Sequence, residues 1–281
     1  MRTLSRAAAP DGDPLSGRVD RSALQFRDGA ALRESLRGAE TLYNTYWVRF
    51  ERGESTFARA VENIGVLLRA AHDAGVRRVV HVSVANASEE SPLPYYRGKA
   101  LAERHVAAAG FSHAVVRPTL VFGSNDILIN NIAWTIRRFP FFAVARRGDY
   151  PVQPVSVGDV ATLCVDAGGR DTDETFDAAG PEIYTFSELV RAVGTAVGRP
   201  PRIVSVPGGA VLALGRIVGA FARDVVLTRE ELDGLRAGLL ASHDPPLGRA
   251  SFDEWLHGSG AELGRRYVSE LARNFRPYGS L

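Results

Sequence analysis

Cysteine, lysine and methionine are nearly absent from this chain of 281 residues, which holds one of each: Cys164, Lys99 and Met1. A single cysteine excludes a disulfide framework and a cysteine-built metal site, and it fits a reducing compartment, so a cytoplasmic protein is expected. The six histidines, at 72, 81, 105, 113, 243 and 257, show no paired ligand spacing, so no metal is expected. No long hydrophobic run is present. The most apolar stretch, 208–222, carries Arg216 and falls short of the roughly 20 residues that a membrane span requires. Residues 1–18 place Arg, Asp, Gly and Pro where a secretory signal needs an apolar core. A one-signed charge block is also missing: the formal net charge is +2 and the arginines are scattered, so nucleic acid is not an expected partner. No repeat of fixed period occurs. With 45% hydrophobic and 23% charged residues, the chain has the composition of a globular protein with a full core.

Short apolar runs alternate with helical patterns through the first half, as in parallel βαβ units. Val79, Val80, Val82 and Val84 make a nearly continuous β-branched run, expected of a strand covered on both faces. Before it, Val61, Ile64, Leu67, Leu68 and Ala71 recur at helical spacing over 57–74, and Gly75 supplies the stop. A second unit follows, with a helix over 95–109, Gly110 as its stop and a strand at 114–116 ended by Pro118. Strands are predicted at 18–26 and 40–45 with a helix at 30–36 between them. Helices are expected over 127–138 and 156–167. Thr185 and Thr228, three residues before Glu188 and Glu231, read as capping boxes that open two more. A short strand is expected near 202–206. The pattern is an α/β core with a parallel sheet over 1–180, followed by a smaller, mainly helical lobe over 181–281, to which 121–150 contributes if it leaves the core.

Open parallel sheets bind ligands beyond the carboxyl ends of their strands. Ser83 stands at such an end, and Tyr95-Tyr96-Arg97-Gly98-Lys99 opens the following helix. Residues four apart share a helix face, so Tyr95 and Lys99 address the same space. A phenol ionises near pH 10, and bringing it down to exchange a proton at neutral pH takes about 4 kcal/mol. A neighbouring ammonium supplies part of that by favouring the phenolate. The plain alternative is a solvated pair at a helix start. Arginine supplies every other cationic side chain in this protein, and the one lysine stands four residues after a tyrosine, which favours function.

His81-Val82-Ser83, Tyr95-x-x-x-Lys99, Arg117-Pro118-Thr119-Leu120-Val121-Phe122-Gly123 and Val157-x-Asp159-Val160-Ala161 occur in that order. Together they resemble the extended and atypical short-chain dehydrogenase/reductases. The nearest group is the NAD-dependent epimerase/dehydratase-like one, which includes proteins similar to the dehydrogenase-like accessory subunit of respiratory complex I. The resemblance runs over about residues 1–206 and implies a Rossmann-like parallel sheet binding NADP, with NAD as the alternative. It makes Tyr95 the catalytic acid/base, Lys99 the group that lowers its pKa and holds the nicotinamide ribose, and Ser83 the hydrogen-bond partner of the substrate. Asn63 matches the asparagine that supports the lysine through a water, unless it is an exposed helix position. Arg117 and Pro118 match the segment lining the nicotinamide side, with a plain strand stop as the other reading of Pro118. Arg2, Ser5 and Arg6 fall where basic residues receive the 2′-phosphate, and Thr45 lies at the next strand end. Homodimerisation through the helices at 57–74 and 95–109 is implied in the same way.

The chain departs from the family in one place above all. A dinucleotide site needs a Gly-rich turn after its first strand, so that backbone N–H groups meet the pyrophosphate. Gly258, Gly260 and Gly264 have the wrong spacing and follow Trp255-Leu256-His257 rather than a strand. The chain is therefore expected to begin one βα unit late, N-terminally truncated by roughly 25–35 residues, with the absent strand belonging between those at 1–5 and 40–45. Gln25 replaces an adenine-side acid, and Tyr43 to Trp47 replace small residues, either narrowing the nicotinamide side, forming part of a substrate wall or packing as a bulky loop. Cys164 is expected to be a core thiol. Trp134, Phe139, Phe141 and Phe142 read as core packing or the wall of an apolar pocket. Three functions follow: an NAD(P)-dependent oxidoreductase acting on a small carbonyl or alcohol substrate, a nucleotide-sugar epimerase or dehydratase, or a non-catalytic Rossmann-like scaffold subunit.

Overall fold

The computed structural model describes residues 1–5 and 17–275. Its first half is built from β1 (Arg2–Ser5), β2 (Asp20–Ala23), α1 (Gly29–Leu36), β3 (Thr41–Asn44), α2 (Phe57–Asp73), β4 (Arg78–Val82), α3 (Pro94–Ala108) and β5 (Ser112–Pro118). The chain then crosses into a second lobe with β6 (Leu120–Phe122), α4 (Leu128–Arg138), β7 (Phe141–Ala145), β8 (Pro151–Val152) and β9 (Pro154–Ser156). It returns for α5 (Val157–Gly168) and β10 (Glu174–Ala178). It then completes the second lobe with β11 (Tyr184–Thr185), α6 (Phe186–Ala196), β12 (Arg202–Val206), α7 (Gly208–Ala222), α8 (Arg229–Arg236), α9 (Phe252–Ser259) and α10 (Glu270–Asn274).

The main sheet is parallel, in the order β10-β5-β4-β3. Alternation along β4 divides its two faces. Val79 joins Ile64, Leu67, Val106 and Leu32 beneath α1, α2 and α3, while Val80 joins Val116, Val160 and Cys164 beneath α5. Both faces are covered, which is why the run reads as almost wholly apolar. The helix over 57–74 forms with its predicted stripe inward, Thr56 accepting from the Arg59 N–H at its start and Gly75 taking φ +83° beyond its end. The two sheets of this half are not joined. β1 pairs with β2 alone and β3 ends the four-stranded sheet, although Leu4 and Leu42 pack on the same cluster.

The second lobe has its own core, in which Phe122, Ile129, Ile136, Leu189, Val193 and Phe252 interlock. Its strands are two- and three-residue pieces except for the parallel β7–β12 pair. Both predicted capping boxes are present, at Thr185–Glu188 and Thr228–Glu231. The second also aims Glu231 at Arg49 of the first half, since the Glu231 side chain accepts from the Thr228 N–H and from Arg49 Nε at 2.6 Å. Thr228→Ala is expected to cost about 1 kcal/mol, seen as a lower denaturant midpoint at unchanged slope, with Thr228→Ser largely retaining the cap.

Candidate functional site

The carboxyl edge of the main sheet gathers the predicted residues. Thr45 follows β3 and is exposed, Ser83 follows β4, and Pro118 ends β5 with its carbonyl accepting from the Ala85 N–H at 2.9 Å. Helix α3 starts at this edge with Pro94 at its first position, which places Tyr95 in the first turn and Lys99 one turn on.

Lys99 is buried. Its ammonium donates to the Val82 carbonyl at 3.0 Å and lies 4.8 Å from the centre of the Trp47 ring, a cation–π contact in a desolvated corner. Burial lowers its pKa to about 7, against the upward pull of Glu103. Trp47 also stacks on Phe57 at 6.1 Å and meets Tyr95 edge-on at 6.2 Å, so one indole touches both members of the Tyr-x-x-x-Lys pair. Gly98 makes the approach fit, since a Cβ there would lie 3.1 Å from the Trp47 ring. That contact explains a glycine inside a helix, where it costs about 1 kcal/mol relative to alanine.

Tyr95 is held above the ordinary phenol value, at about 12. Burial is the main cause, the Glu231 carboxylate adds to it, and Arg49 opposes it. The expected lowering by Lys99 is not found: the charges that act on Tyr95 come from Arg49 and Glu231, and the Lys99 ammonium donates to Val82. Ser83 donates its hydroxyl to Glu103, whose carboxylate also accepts from Arg117 Nε at 3.0 Å. Asn63 is buried rather than exposed, and its amide donates to the Tyr46 hydroxyl at 2.8 Å. Behind them His81 is fully buried, 3.0 Å from the Asn44 amide, and burial with the nearby Lys99 charge pulls its pKa down to about 3, so it stays neutral. Trp47 Nε1 and His81 Nε2 are buried with no hydrogen-bond partner among the described residues.

The cofactor-side expectations fare unevenly. Arg2 lies at the amino end of β1, and its guanidinium donates to the Ser35 and Arg37 carbonyls at the foot of α1. That is the edge opposite the ligand edge, so the 2′-phosphate role expected of Arg2 is corrected. Ser5 ends β1 on the correct side, its carbonyl accepting from the Leu24 N–H. Arg6 lies outside the described residues. Arg117 is engaged by Glu103, which holds the guanidinium above its ordinary value. None of the turns from a described strand to a described helix at this edge is glycine-rich. Ser83, Lys99 and Asn63 each hold one protein hydrogen-bond partner, and what the described edge does not offer a dinucleotide is the glycine-rich cradle for its pyrophosphate. Among the described residues no group of three metal-ligating side chains occurs. Cys164 is a core thiol, pushed up by burial to about 11.

Glu103, Arg49 and Glu231 were not legible as site residues. Glu103 had a signal: it stands four residues beyond Lys99, so 95, 99 and 103 share one helix face.

No family model matches the chain. Among curated proteins it is 28% identical to NADH dehydrogenase (ubiquinone) 1 alpha subcomplex subunit 9, mitochondrial, of Arabidopsis thaliana, over 64% of this chain and 46% of that protein. It is 31% identical to the Mus musculus protein of the same name, over 59% and 45%. It is 28% identical to sterol demethylase protein B of Methylococcus capsulatus, over 74% and 69%. The chain spans about half the length of the first two of these relatives. Among solved structures it is similar in fold to the Citrobacter triphenylmethane reductase, with a TM-score of 0.74 at 14% identity over 92% of this chain and 89% of that one. An NADPH-dependent quinone oxidoreductase of Escherichia coli, solved with NADPH, follows with a TM-score of 0.70 at 17% identity over 93% and 89%. The mitochondrial names overturn the expectation of a cytoplasmic protein.

Proposed function

From the premise that this chain is a relative of the extended and atypical short-chain dehydrogenase/reductases, we propose that it is a non-catalytic, Rossmann-like scaffold subunit that works by assembling with partner proteins. The observation that carries this reading is the closed corner: Lys99 is bonded to the Val82 carbonyl beneath Trp47. A lysine so placed is covered by the indole and has one of its three N–H donors taken, and a tyrosine held at about 12 stays a neutral phenol at physiological pH. The names of the NADH dehydrogenase relatives, each a subunit of a larger assembly, support partner proteins in place of a turned-over substrate.

The oxidoreductase reading keeps one observation in its favour, which is that Ser83, Tyr95 and Lys99 do converge on the ligand edge. It requires Trp47 to withdraw from Lys99. NADPH titration followed by nicotinamide fluorescence, with aldehydes, ketones and quinones as acceptors, separates the two. The expected result is no saturable binding and no turnover above buffer, unchanged in Tyr95→Phe. Saturable binding with turnover that Tyr95→Phe abolishes would make the protein an enzyme.

A further inference from the structure

The most apolar stretch of the sequence plays no part in either core. Helix α7 carries Leu212, Leu214, Ile217, Val218 and Phe221 and no carboxylate, yet Gly219 is the one residue of its 15 that is buried. Leu214, Ile217 and Phe221 fall at i, i+3 and i+7, so they form one stripe. Ile217 is 55% and Phe221 86% exposed, which is extreme for side chains of this size. The helix packs beside β7, and the parallel β7–β12 register turns Phe142 and Ile203 into the core and leaves Phe141 and Val204 exposed on the outer side.

The charged side chains on the helix, at its cap and opposite Phe141 are arginines. Arg216 lies on the helix, Arg223 caps it in a left-handed conformation, and Arg202 sits opposite Phe141; all three are exposed. None of the three has an ion-pair partner among the described residues. The nearest carboxylate in sequence, Asp224, is turned inward, accepting from the Tyr267 hydroxyl and the N–H groups of Glu270 and Leu271. At 1.5 Å per residue the helix is about 22 Å long, less than the roughly 30 Å of a bilayer core, and among the described residues no helix is long and apolar enough to cross a membrane.

We propose that α7, with Phe141 and Val204 beside it, is a seat for an anionic phospholipid surface, on which it lies in the interface plane with Leu214, Ile217 and Phe221 inserted. Arginines at the rim of an apolar stripe suit that surface, because their stems follow the acyl boundary while the guanidinium groups meet headgroup phosphates. A second copy of this chain is the poorer occupant, since pairing two such faces sets arginine against arginine.

Flotation of the full chain with phosphatidylcholine vesicles, with and without roughly 30% phosphatidylglycerol, tests the proposal. The protein is expected to float with the anionic vesicles and not with the neutral ones. Arg216→Gln is expected to weaken the partition about fivefold, and Arg216→Gln with Arg223→Gln about 25-fold. Phe221→Asp should abolish it. Phe221 makes so little contact that this variant is expected to melt like the parent, which serves as the folding control. Equal flotation with neutral vesicles, no flotation at all, or retention by Phe221→Asp would overturn the proposal. So would a dimer that Phe221→Asp dissolves in the absence of vesicle binding, which would assign the face to a second copy.

Discussion

Glu103→Ala is expected to destabilise the fold by about 3 kcal/mol, the low end for breaking a buried pair by removing one partner. Glu103 is the hub of the ligand edge. It accepts from Ser83 and Arg117, and it is the one charge that holds the Lys99 ammonium against burial. Its side chain is 11% exposed and that of Arg117 is 29%, so removing the carboxylate leaves a partly buried guanidinium and a hydroxyl without an acceptor. Asp177 and Asp244 lie close enough to Arg117 to act on it, which limits the loss. Glu103→Leu combined with Arg117→Met should recover much of it, because an apolar pair leaves no stranded charge. Equilibrium urea unfolding of Glu103→Leu, Arg117→Met and the double variant reads the coupling directly. A Glu103→Ala variant as stable as the parent would show that this network does not hold the edge together.

The second large effect is on the pH dependence of stability. His81 stays neutral in the fold down to about pH 3, whereas its ordinary value is 6.5. Between those values the unfolded chain binds a proton that the folded chain refuses, so stability falls as pH drops through this window, with a slope approaching 1.4 kcal/mol per pH unit, about one proton's worth. Lys99 acts with the same sign in a higher window. Its pKa is lowered from 10.5 to about 7, so stability is gained as pH rises from about 7. Tyr95 and Cys164 act in the opposite sense, with folded values raised to about 12 and about 11 from 10.0 and 9.0. Stability that they contribute below their unfolded values is lost as pH rises through those ranges. The balance of these four groups places maximum stability near about pH 9 to 10. Urea midpoints measured across the acid and alkaline arms check it, and His81→Phe should flatten the acid arm. A parent protein equally stable at about pH 4 and about pH 6.5 would contradict the burial assigned to His81.

What was legible in the sequence was local. The stripe of α2, the stops at Gly75 and Gly110 and the two capping boxes each depend on residues within a few positions of one another, and each forms as the pattern predicts. Strand β10 escaped because its Glu174-Thr175-Phe176-Asp177 alternation is that of an edge, which looks like a loop without its neighbour β5. β6, β8, β9 and β11 are too short to carry a period. At the site, resemblance placed Ser83, Tyr95 and Lys99 on one edge but could not show what fills the space between them. The Arg49–Glu231 pair spans 182 residues and Arg49–Glu270 spans 221, and no sequence window reaches that far. Arg2 misled because position along a strand decides which edge a side chain serves, and it stands at the wrong end of β1.

The closed corner is tested most directly through the scarcity of lysine. Lysine-selective carbon-13 labelling gives one side-chain signal in the whole protein, that of Lys99. Its Cε shift, followed against pH in the folded chain, is expected to titrate near 7, with indole signals of Trp47 moving over the same range. A midpoint near the ordinary lysine value of about 10.4, with Trp47 indifferent to it, would mean that the ammonium stands in water, free to hold a ribose. The scaffold assignment would then give way to an open catalytic site.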